Sequence, residues 1–416
     1  MTETLLLAAG AVFVLGVGAQ WLAWRFRLPS ILLLLAFGFL AGPVTGLLDP
    51  SLLQGDGLFA FVSLAVGIIL FEGGLTLRLR ELEGVGNVVR NLITIGVAVT
   101  GVLTGLAAYW LLGVSVSIAA IIGGILTVTG PTVIIPLLRH VRPMGRVGTI
   151  AKWEGIVVDP VGAILAVLVL ETILLINEPG VQGLGALVFH TFEGIVKELF
   201  IGIGGALAGA ALLVMLLRRR LLPDYLQNSV ALMVVVAVFA LTEMLQHESG
   251  LLATTLMGIF MANQNYAPIR RIVEFKEDLR VLLISVLFIV LSARIDKSAL
   301  DYVTPGSLAF LAVMMLAIRP LAVYLSTIGT RIDWREKAFL AWLAPRGIVA
   351  AAVASIFSIR VNEILPGQGD IIVPIIFLVI VGTVLVYGLT ISPLARWLGL
   401  AHPDPQGVLI VGAHAW

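Results

Sequence analysis

Two carboxylates and a glycine–proline pair stand inside apolar stretches of this sequence, where ionised groups and helix breaks are both costly. Glu154 and Asp159 lie in one apolar run, and Gly130 and Pro131 interrupt the run before it. Ionisable residues at such positions are normally retained because they bind or pass ions and protons. The stretch from residue 127 to residue 160 therefore predicts an ion site.

The glycine–proline pair predicts a break in its helix. Pro131 has no N–H and disfavours helical geometry at Gly130, so the carbonyl groups of Thr127 and Val128 should lose their helical partners. Freed carbonyls cannot face lipid, so they should face protein, water or a cation. Thr129 adds a hydroxyl oxygen at the same place. A harmless proline kink is the alternative interpretation.

The two carboxylates should have different tasks. Asp159 lies four residues after Gly155 and three before Gly162, so one helical face presents a carboxylate between two small residues. Glu154 lies on another side of the helix and needs its own partner. The candidates are two arginines of later spans, Arg319 and Arg346. A carboxylate paired with arginine stays ionised, so we expect Asp159 to exchange ions and Glu154 to be mainly structural. Alternatively, both acids only hold the helices together.

Composition places the chain in a membrane. Of its 416 residues 59% are hydrophobic and 12% are charged, and the mean hydropathy is +1.08. Such a chain could not bury its apolar surface as a soluble globule. The net charge of +1 gives no reason to expect nucleic acid binding, and the absence of cysteine excludes disulfides and thiolate metal sites. We predict an all-α polytopic membrane protein.

The apolar runs predict thirteen transmembrane helices, since each span needs roughly 20 apolar residues. Their approximate limits are 4–24, 30–48, 57–77, 91–113, 116–138, 147–176, 194–218, 227–246, 250–264, 281–298, 305–327, 338–358 and 369–391. Most of the 26 basic residues fall in the connections after odd-numbered spans. By the positive-inside rule these connections are cytoplasmic, which puts the N-terminus outside and the C-terminus in the cytoplasm.

Similar motifs recur seven spans apart and suggest an inverted repeat. The fifth span breaks at Gly130-Pro131, and the twelfth at Pro345-Arg346-Gly347. An odd offset reverses orientation in the membrane, and interrupted helices at matching positions of two inverted halves are typical of transporters with a site near the midplane. Chance similarity between apolar sequences is the alternative.

Six motifs spread over nearly the whole chain carry a family resemblance. They are Pro29-Ser30-Ile31-Leu32, Phe71-Glu72-Gly73-Gly74-Leu75, Thr129-x-Pro131, Glu154-x-x-x-x-Asp159-Pro160, Arg319-Pro320-Leu321-Ala322-Val323 and Pro345-Arg346-Gly347-Ile348-Val349-Ala350. As a set they resemble the sodium/proton exchanger family, the NhaP-like monovalent cation:proton antiporters. The resemblance also implies a location in the bacterial inner membrane.

The resemblance implies an architecture for residues 1–400. Spans 1–3 and 8–10 would form the dimerisation side of a homodimer, and spans 4–6 and 11–13 a core domain with two crossed discontinuous helices. Span 7 would link the two parts. The core would move to give alternating access, with Asp159 as the shared proton and cation site.

The resemblance also implies roles for further residues. Thr129 would lend oxygen to the cation, and Glu154 would pair with Arg319. Arg346 would offset the termini of the two broken helices. The residues of the breaks themselves are Gly130, Pro131, Pro345 and Gly347.

Three positions depart from the family pattern. Val158 stands where the family usually has Asn, Gly155 where it often has Ser, and Gly130 where it has Asp. Two side-chain oxygens and one charge are therefore missing near the site. Arg346 would lack its usual partner, with Glu72 as a candidate substitute.

These departures bear on the transported ion. The cation would rely on Asp159, Thr129, backbone carbonyls and retained water. A looser and wetter site favours the small, strongly hydrated sodium ion less, so we expect potassium as readily as sodium. With one titrating acid and Glu154 neutralised by arginine, we predict electroneutral one-for-one exchange. A nucleotide-regulated potassium efflux channel or efflux system on the same scaffold is the alternative, whereas the sequence holds no enzyme signature such as His-Glu-x-x-His.

The last residues suggest a further domain. A Val/Ile/Leu run ends at Gly412 and resembles the first strand of a dinucleotide-binding fold, although His414 stands where a second glycine is expected. We predict that residues 401–416 begin a truncated cytoplasmic domain that binds a regulatory nucleotide, with an ordinary tail as the alternative. No cofactor is expected in the membrane part.

Overall fold

A computed structural model gives the fold of the protein and describes residues 2–26, 28–48, 56–177, 184–294 and 301–401. Throughout these ranges the regular structure is helical and no strand occurs, so the prediction of an all-helical protein is confirmed for them. Apart from Ala401, the predicted start of a nucleotide-binding domain lies outside the described residues.

The first half of the chain contains nine α-helices within the described ranges. They are α1 (Thr2–Phe26), α2 (Ser30–Phe39), α3 (Asp56–Gly74), α4 (Gly86–Asn91), α5 (Val97–Leu112), α6 (Val116–Ile125), α7 (Pro131–Val141), α8 (Val147–Asn177) and α9 (Leu184–Arg218). A π-helical turn at Leu92–Gly96 joins α4 to α5, and another at Leu40–Val44 extends α2.

The second half continues in the same way over its described residues. Its α-helices are α10 (Gln227–Leu245), α11 (Ser249–Asn263), α12 (Arg270–Ala293), α13 (Pro305–Val313), α14 (Arg319–Ser326), α15 (Trp334–Trp342), α16 (Ile348–Ile364) and α17 (Ile372–Trp397). The π-helical turn Met314–Ile318 joins α13 to α14, immediately before Pro320, which lacks the N–H of a regular turn.

Local signals in the sequence fix several helix ends. Thr304 and Ser307 form a capping box at the start of α13, with Pro305 in the first turn. Asp333 and Glu336 do the same for α15. Each box satisfies N–H groups that have no partner inside the helix. α5 ends at Gly113, whose φ of 66° is a conformation that glycine adopts without strain.

Seven helical segments of the described chain are long and apolar enough to cross a membrane. They are Leu6–Phe26, Gly86–Leu112, Val147–Ile176, Glu193–Arg218, Asp224–Leu245, Pro305–Ser326 and Gly369–Trp397. Shorter apolar helices, including the separate halves α6 and α7, lie between them. The total of thirteen spans stays a prediction.

Helix α8 lies at the centre of the bundle. Within its apolar segment 61% of the residues are buried inside the protein, compared with 28% in α1. It packs against α6, α7, α9, α11 and α16. It also packs against α15, so the helix that carries Glu154 and Asp159 contacts both halves of each broken helix.

Candidate functional site

The two broken helices meet at their interruptions, between α6 and α7 and between α15 and α16. The N–H of Gly130 donates to the carbonyl oxygen of Pro345 at 3.3 Å. A Cβ atom added to Gly130 would overlap the Cα atom of Gly347. The structure therefore brings together the four predicted break residues, including Pro131 at the start of α7, and leaves room only for glycine at the contact.

Arg346 lies in the second break and reaches across to the first. Its Nη1 donates to the carbonyl oxygens of Thr127 at 3.2 Å and of Val128 at 3.1 Å. Its backbone N–H donates to the Thr383 hydroxyl at 3.3 Å, and the residue is buried. A protein group, one of the partners expected for these carbonyls, thus satisfies them in this structure, and their use by an ion stays a prediction.

Asp159 is buried in α8. Its exposed fraction is 0%, and neither carboxylate oxygen has a hydrogen-bond partner among the described residues. The preceding Val158 is apolar and buried, so it offers no donor where the family has Asn. Burying an ionised carboxylate without a partner is strongly unfavourable. This acid therefore needs a proton or a cation.

Small residues on α8 allow the first break to approach Asp159. A Cβ atom on Gly162 would lie 2.9 Å from the hydroxyl oxygen of Thr127 and 2.9 Å from the backbone nitrogen of Val128. One turn away on the other side, the Thr129 hydroxyl lies 3.5 Å from the carbonyl oxygen of Gly155. The threonines of the first break thus pack against α8 at Gly155 and Gly162, on either side of Asp159.

Glu154 is held by a two-oxygen ion pair with Arg319 at the start of α14. Arg319 Nη1 donates to Oε1 at 2.5 Å and Nη2 to Oε2 at 3.0 Å. The same guanidinium donates to the carbonyl oxygens of Leu340, at 3.1 Å and 2.8 Å, and of Leu343, at 3.1 Å. It is a cation at the C-terminal end of α15, where the helix dipole favours positive charge. Of the two arginines considered as partners of Glu154, Arg319 is the one that pairs with it in the structure.

Glu72 does not reach Arg346. Its carboxylate lies 2.8 Å from the Arg280 guanidinium of α12, and both side chains are buried. Helix packing explains this pairing, because α3 packs against α12 and carries Glu72 on the side that faces α12. The expected pairing of Glu72 with Arg346 is therefore corrected to an ion pair with Arg280.

Two contacts at this site had no signal in the sequence. They are the Thr383 hydroxyl on the Arg346 backbone and the α15 carbonyls on Arg319. Both join residues of different segments of the bundle. Among the described residues no group of three or more His, Cys, Asp or Glu side chains could hold a metal ion. The arrangement suits one monovalent ion or one proton at a single carboxylate.

Comparison with known proteins gives concordant matches. The model of the sodium/hydrogen exchanger transmembrane family matches residues 10–397. The K(+)/H(+) antiporter NhaP of Alkalimonas amylolytica is 28% identical over 407 residues, which covers 97% of this chain and 68% of that protein. The Na(+)/H(+) antiporter 1 of Methanocaldococcus jannaschii is 27% identical over 418 residues, with coverage of 94% and 93%.

A solved structure has the same fold. The sodium proton antiporter MjNhaP1 from Methanocaldococcus jannaschii at pH 8 superimposes with a TM-score of 0.77, covering 95% of this chain and 99% of that one. The two sequences are 23% identical in this superposition. The match therefore establishes the architecture.

Proposed function

The chain belongs to the sodium/hydrogen exchanger family, and we propose that it exchanges a monovalent cation for protons across the membrane. It is an integral membrane protein and a transporter rather than an enzyme. The proposal rests on Asp159, a buried carboxylate beside two crossed helix breaks, whose oxygens have no hydrogen-bond partner within the described ranges.

Asp159 serves as the shared site for the proton and the cation. A single carboxylate cannot hold both at once, so a proton that arrives displaces the cation and a cation displaces the proton. The Thr129 hydroxyl adds an oxygen ligand to the cation. Glu154 is paired with Arg319, and this pair keeps α8, α14 and α15 together, while Arg346 satisfies the carbonyls of the first break.

The core moves as a unit during transport. We take spans 4–6 and 11–13 as this core, spans 1–3 and 8–10 as the dimerisation side of a homodimer, and span 7 as the linker. The thirteen spans place the N-terminus outside and the C-terminus in the cytoplasm of a bacterial inner membrane. Alternating access then exposes Asp159 to one side at a time.

The transported cation is potassium or sodium. Gly130, Gly155 and Val158 supply no side-chain oxygen, so the site holds its ion with few protein ligands and with retained water. Such a site favours the strongly hydrated sodium ion less than a crowded one would. The names of the two relatives cited above include both ions, one K(+)/H(+) and one Na(+)/H(+) antiporter.

The test is collapse of a pH gradient in proteoliposomes after addition of sodium, potassium, lithium or rubidium. Wild type should respond to at least one cation, and Asp159→Asn should respond to none. The matched control is Asp301→Asn, which changes an exposed aspartate and should behave like wild type.

Two results would contradict the proposal. Activity retained in Asp159→Asn would remove this residue from the site. Cation flux that needs no proton gradient would instead favour a channel. The order of the four cations gives the selectivity.

A further inference from the structure

One face of α9 carries a glutamate between two glycines, at positions 194, 198 and 202. A Cβ atom on Gly194 would lie 3.7 Å from Glu171 Oε2 on α8, and one on Gly202 would lie 2.7 Å from Leu252 Cδ2 on α11. Positions four residues apart share a helix face. Glu198 therefore lies where α8, α9 and α11 meet.

Glu198 is buried at this junction. Its exposed fraction is 1%, and its Oε1 is buried with no hydrogen-bond partner among the described residues. The neighbouring apolar side chains of Ile164, Leu168 and Leu252 form a small buried cluster. An ionised carboxylate in such surroundings is unfavourable unless a proton or a cation accompanies it.

The groups that face Glu198 are also acids. Glu248, Glu171 and Glu243 all act on it through their charge, from the α10–α11 turn, from α8 and from α10. The basic or titratable side chains nearby, Lys197 on α9 and His247 in the turn, are exposed. Glu198 is buried and the three acids that act on it are half-buried. Like charges beside a buried carboxylate disfavour its ionised form, so Glu198 needs a proton or a cation.

Glu243 has a structural role at the start of α11. Its Oε1 accepts a hydrogen bond from the Glu248 N–H at 2.9 Å, and its Oε2 accepts one from the Gly250 N–H at 3.2 Å. It therefore caps the N-terminus of α11. The remaining three, Glu171, Glu198 and Glu248, are called the junction acids below.

The junction borders the helix that carries Asp159. Glu171 lies on α8 together with Asp159, and α11, which follows Glu248, packs against both α8 and α9. The junction acids thus lie on and beside the helix of the buried acid.

We propose that the junction acids form a second protonation site, centred on Glu198, which passes protons between Asp159 and the end of the bundle that carries the α10–α11 turn. An O–H bond breaks at the Asp159 carboxyl group and one forms at the buried Glu198, then at the half-buried Glu248, from which the proton leaves to water. The return path runs in reverse. Only the transfer to Asp159 depends on the proposed function.

The first test measures the second site without transport. Infrared pH titration of the protein in lipid should show a protonated-carboxyl band in wild type and in Asp159→Asn. Glu198→Gln should lose one titrating carboxyl from this band, whereas the exposed Glu193→Gln on the same helix should leave it unchanged. A Glu198→Gln spectrum equal to that of Glu193→Gln would overturn the proposal.

The second test measures the path. The pH profile of exchange should shift by about one pH unit or more in Glu198→Gln and in Glu248→Gln, and Glu198→Asp should restore it. Thermal unfolding of each variant checks that it is folded. Unshifted profiles in both folded variants would overturn the path, whereas a wild type that exchanges no cation but retains the infrared band would overturn only the proposed function.

Discussion

At the residue scale, the two acids of α8 differ in what holds them. Glu154 has both oxygens on one guanidinium group, while Asp159, five residues later, has neither oxygen bonded among the described residues. A fixed pair keeps its charge and a free carboxylate can change it. The two acids therefore have different surroundings, as expected from the sequence. That they also have different functions stays a prediction.

Replacing Arg319 with lysine should destabilise the protein. Lysine carries a point charge and cannot keep a two-oxygen pair with Glu154 together with the bonds to Leu340 and Leu343. We expect a loss of about 1–3 kcal/mol in the free energy of unfolding, seen as a lower thermal midpoint in detergent. Arg25→Lys, at an exposed position in the last turn of α1, is the control. Equal midpoints for the two variants would contradict the role of Arg319.

Glu248 should make stability depend on pH. Burial, followed by the charge of Glu243, raises the pKa of Glu248 in the α10–α11 turn from 4.5 to about 8. Between these values the folded protein binds a proton that the unfolded chain does not, so its stabilising contribution is complete below 4.5 and is lost as the pH rises through about 8. Wild type should therefore unfold at a lower temperature at pH ~9 than at pH ~6.

The Glu248→Gln variant isolates this effect, because glutamine does not titrate. Its thermal midpoint should change less between these two pH values than that of wild type. Glu363→Gln, at an exposed position near the end of α16, should keep the wild-type difference. The same pH response in wild type and in Glu248→Gln would exclude Glu248 as its source.

At the element scale, the crossing of the two breaks depends on two glycines. Gly130→Ala or Gly347→Ala would push a Cβ atom into the opposite backbone, and overpacking of this kind costs about 1–3 kcal/mol. Each variant should unfold earlier and lose cation-dependent collapse of the pH gradient. In Gly18→Ala the new Cβ meets nothing within 4 Å, so the control should keep both properties. Wild-type exchange in Gly130→Ala would show that the contact is dispensable.

The sequence predicts those structural elements that depend only on neighbouring residues in the chain. Both helix breaks could be predicted, because a proline such as Pro131, or the proline and glycine beside Arg346, interrupts a helix whatever it packs against. The apolar runs likewise predicted the helices. The partners could not be predicted in this way. Arg280 for Glu72, and the carbonyl groups that Arg346 reaches, depend on how helices distant in sequence are arranged. The Glu243 cap on α11 is likewise a tertiary contact.

At the scale of the whole molecule, the charges of the core favour a simple stoichiometry. The charges of Glu154 and Arg319 offset each other in their ion pair, and Arg346 lies on the carbonyls of the first break. On the proposed function, Asp159 holds either a proton or a monovalent cation and is compensated in both cases. We therefore expect the core to carry the same charge in both directions and one cation to exchange for one proton.

Exchange should consequently be insensitive to membrane potential. One uncompensated charge per cycle would be worth about 2.3 kcal/mol at 100 mV, which would change the final cation gradient about fiftyfold. In proteoliposomes we expect equal uptake of labelled cation with and without a potential set by a permeant anion, and no sustained current on a solid-supported membrane. Empty liposomes control for leak. A sustained current would require a second group that carries charge during transport. Glu198 is buried, and its Oε1 has no hydrogen-bond partner among the described residues, so loss of that current in a Glu198→Gln variant that still exchanges the cation would identify it as that group.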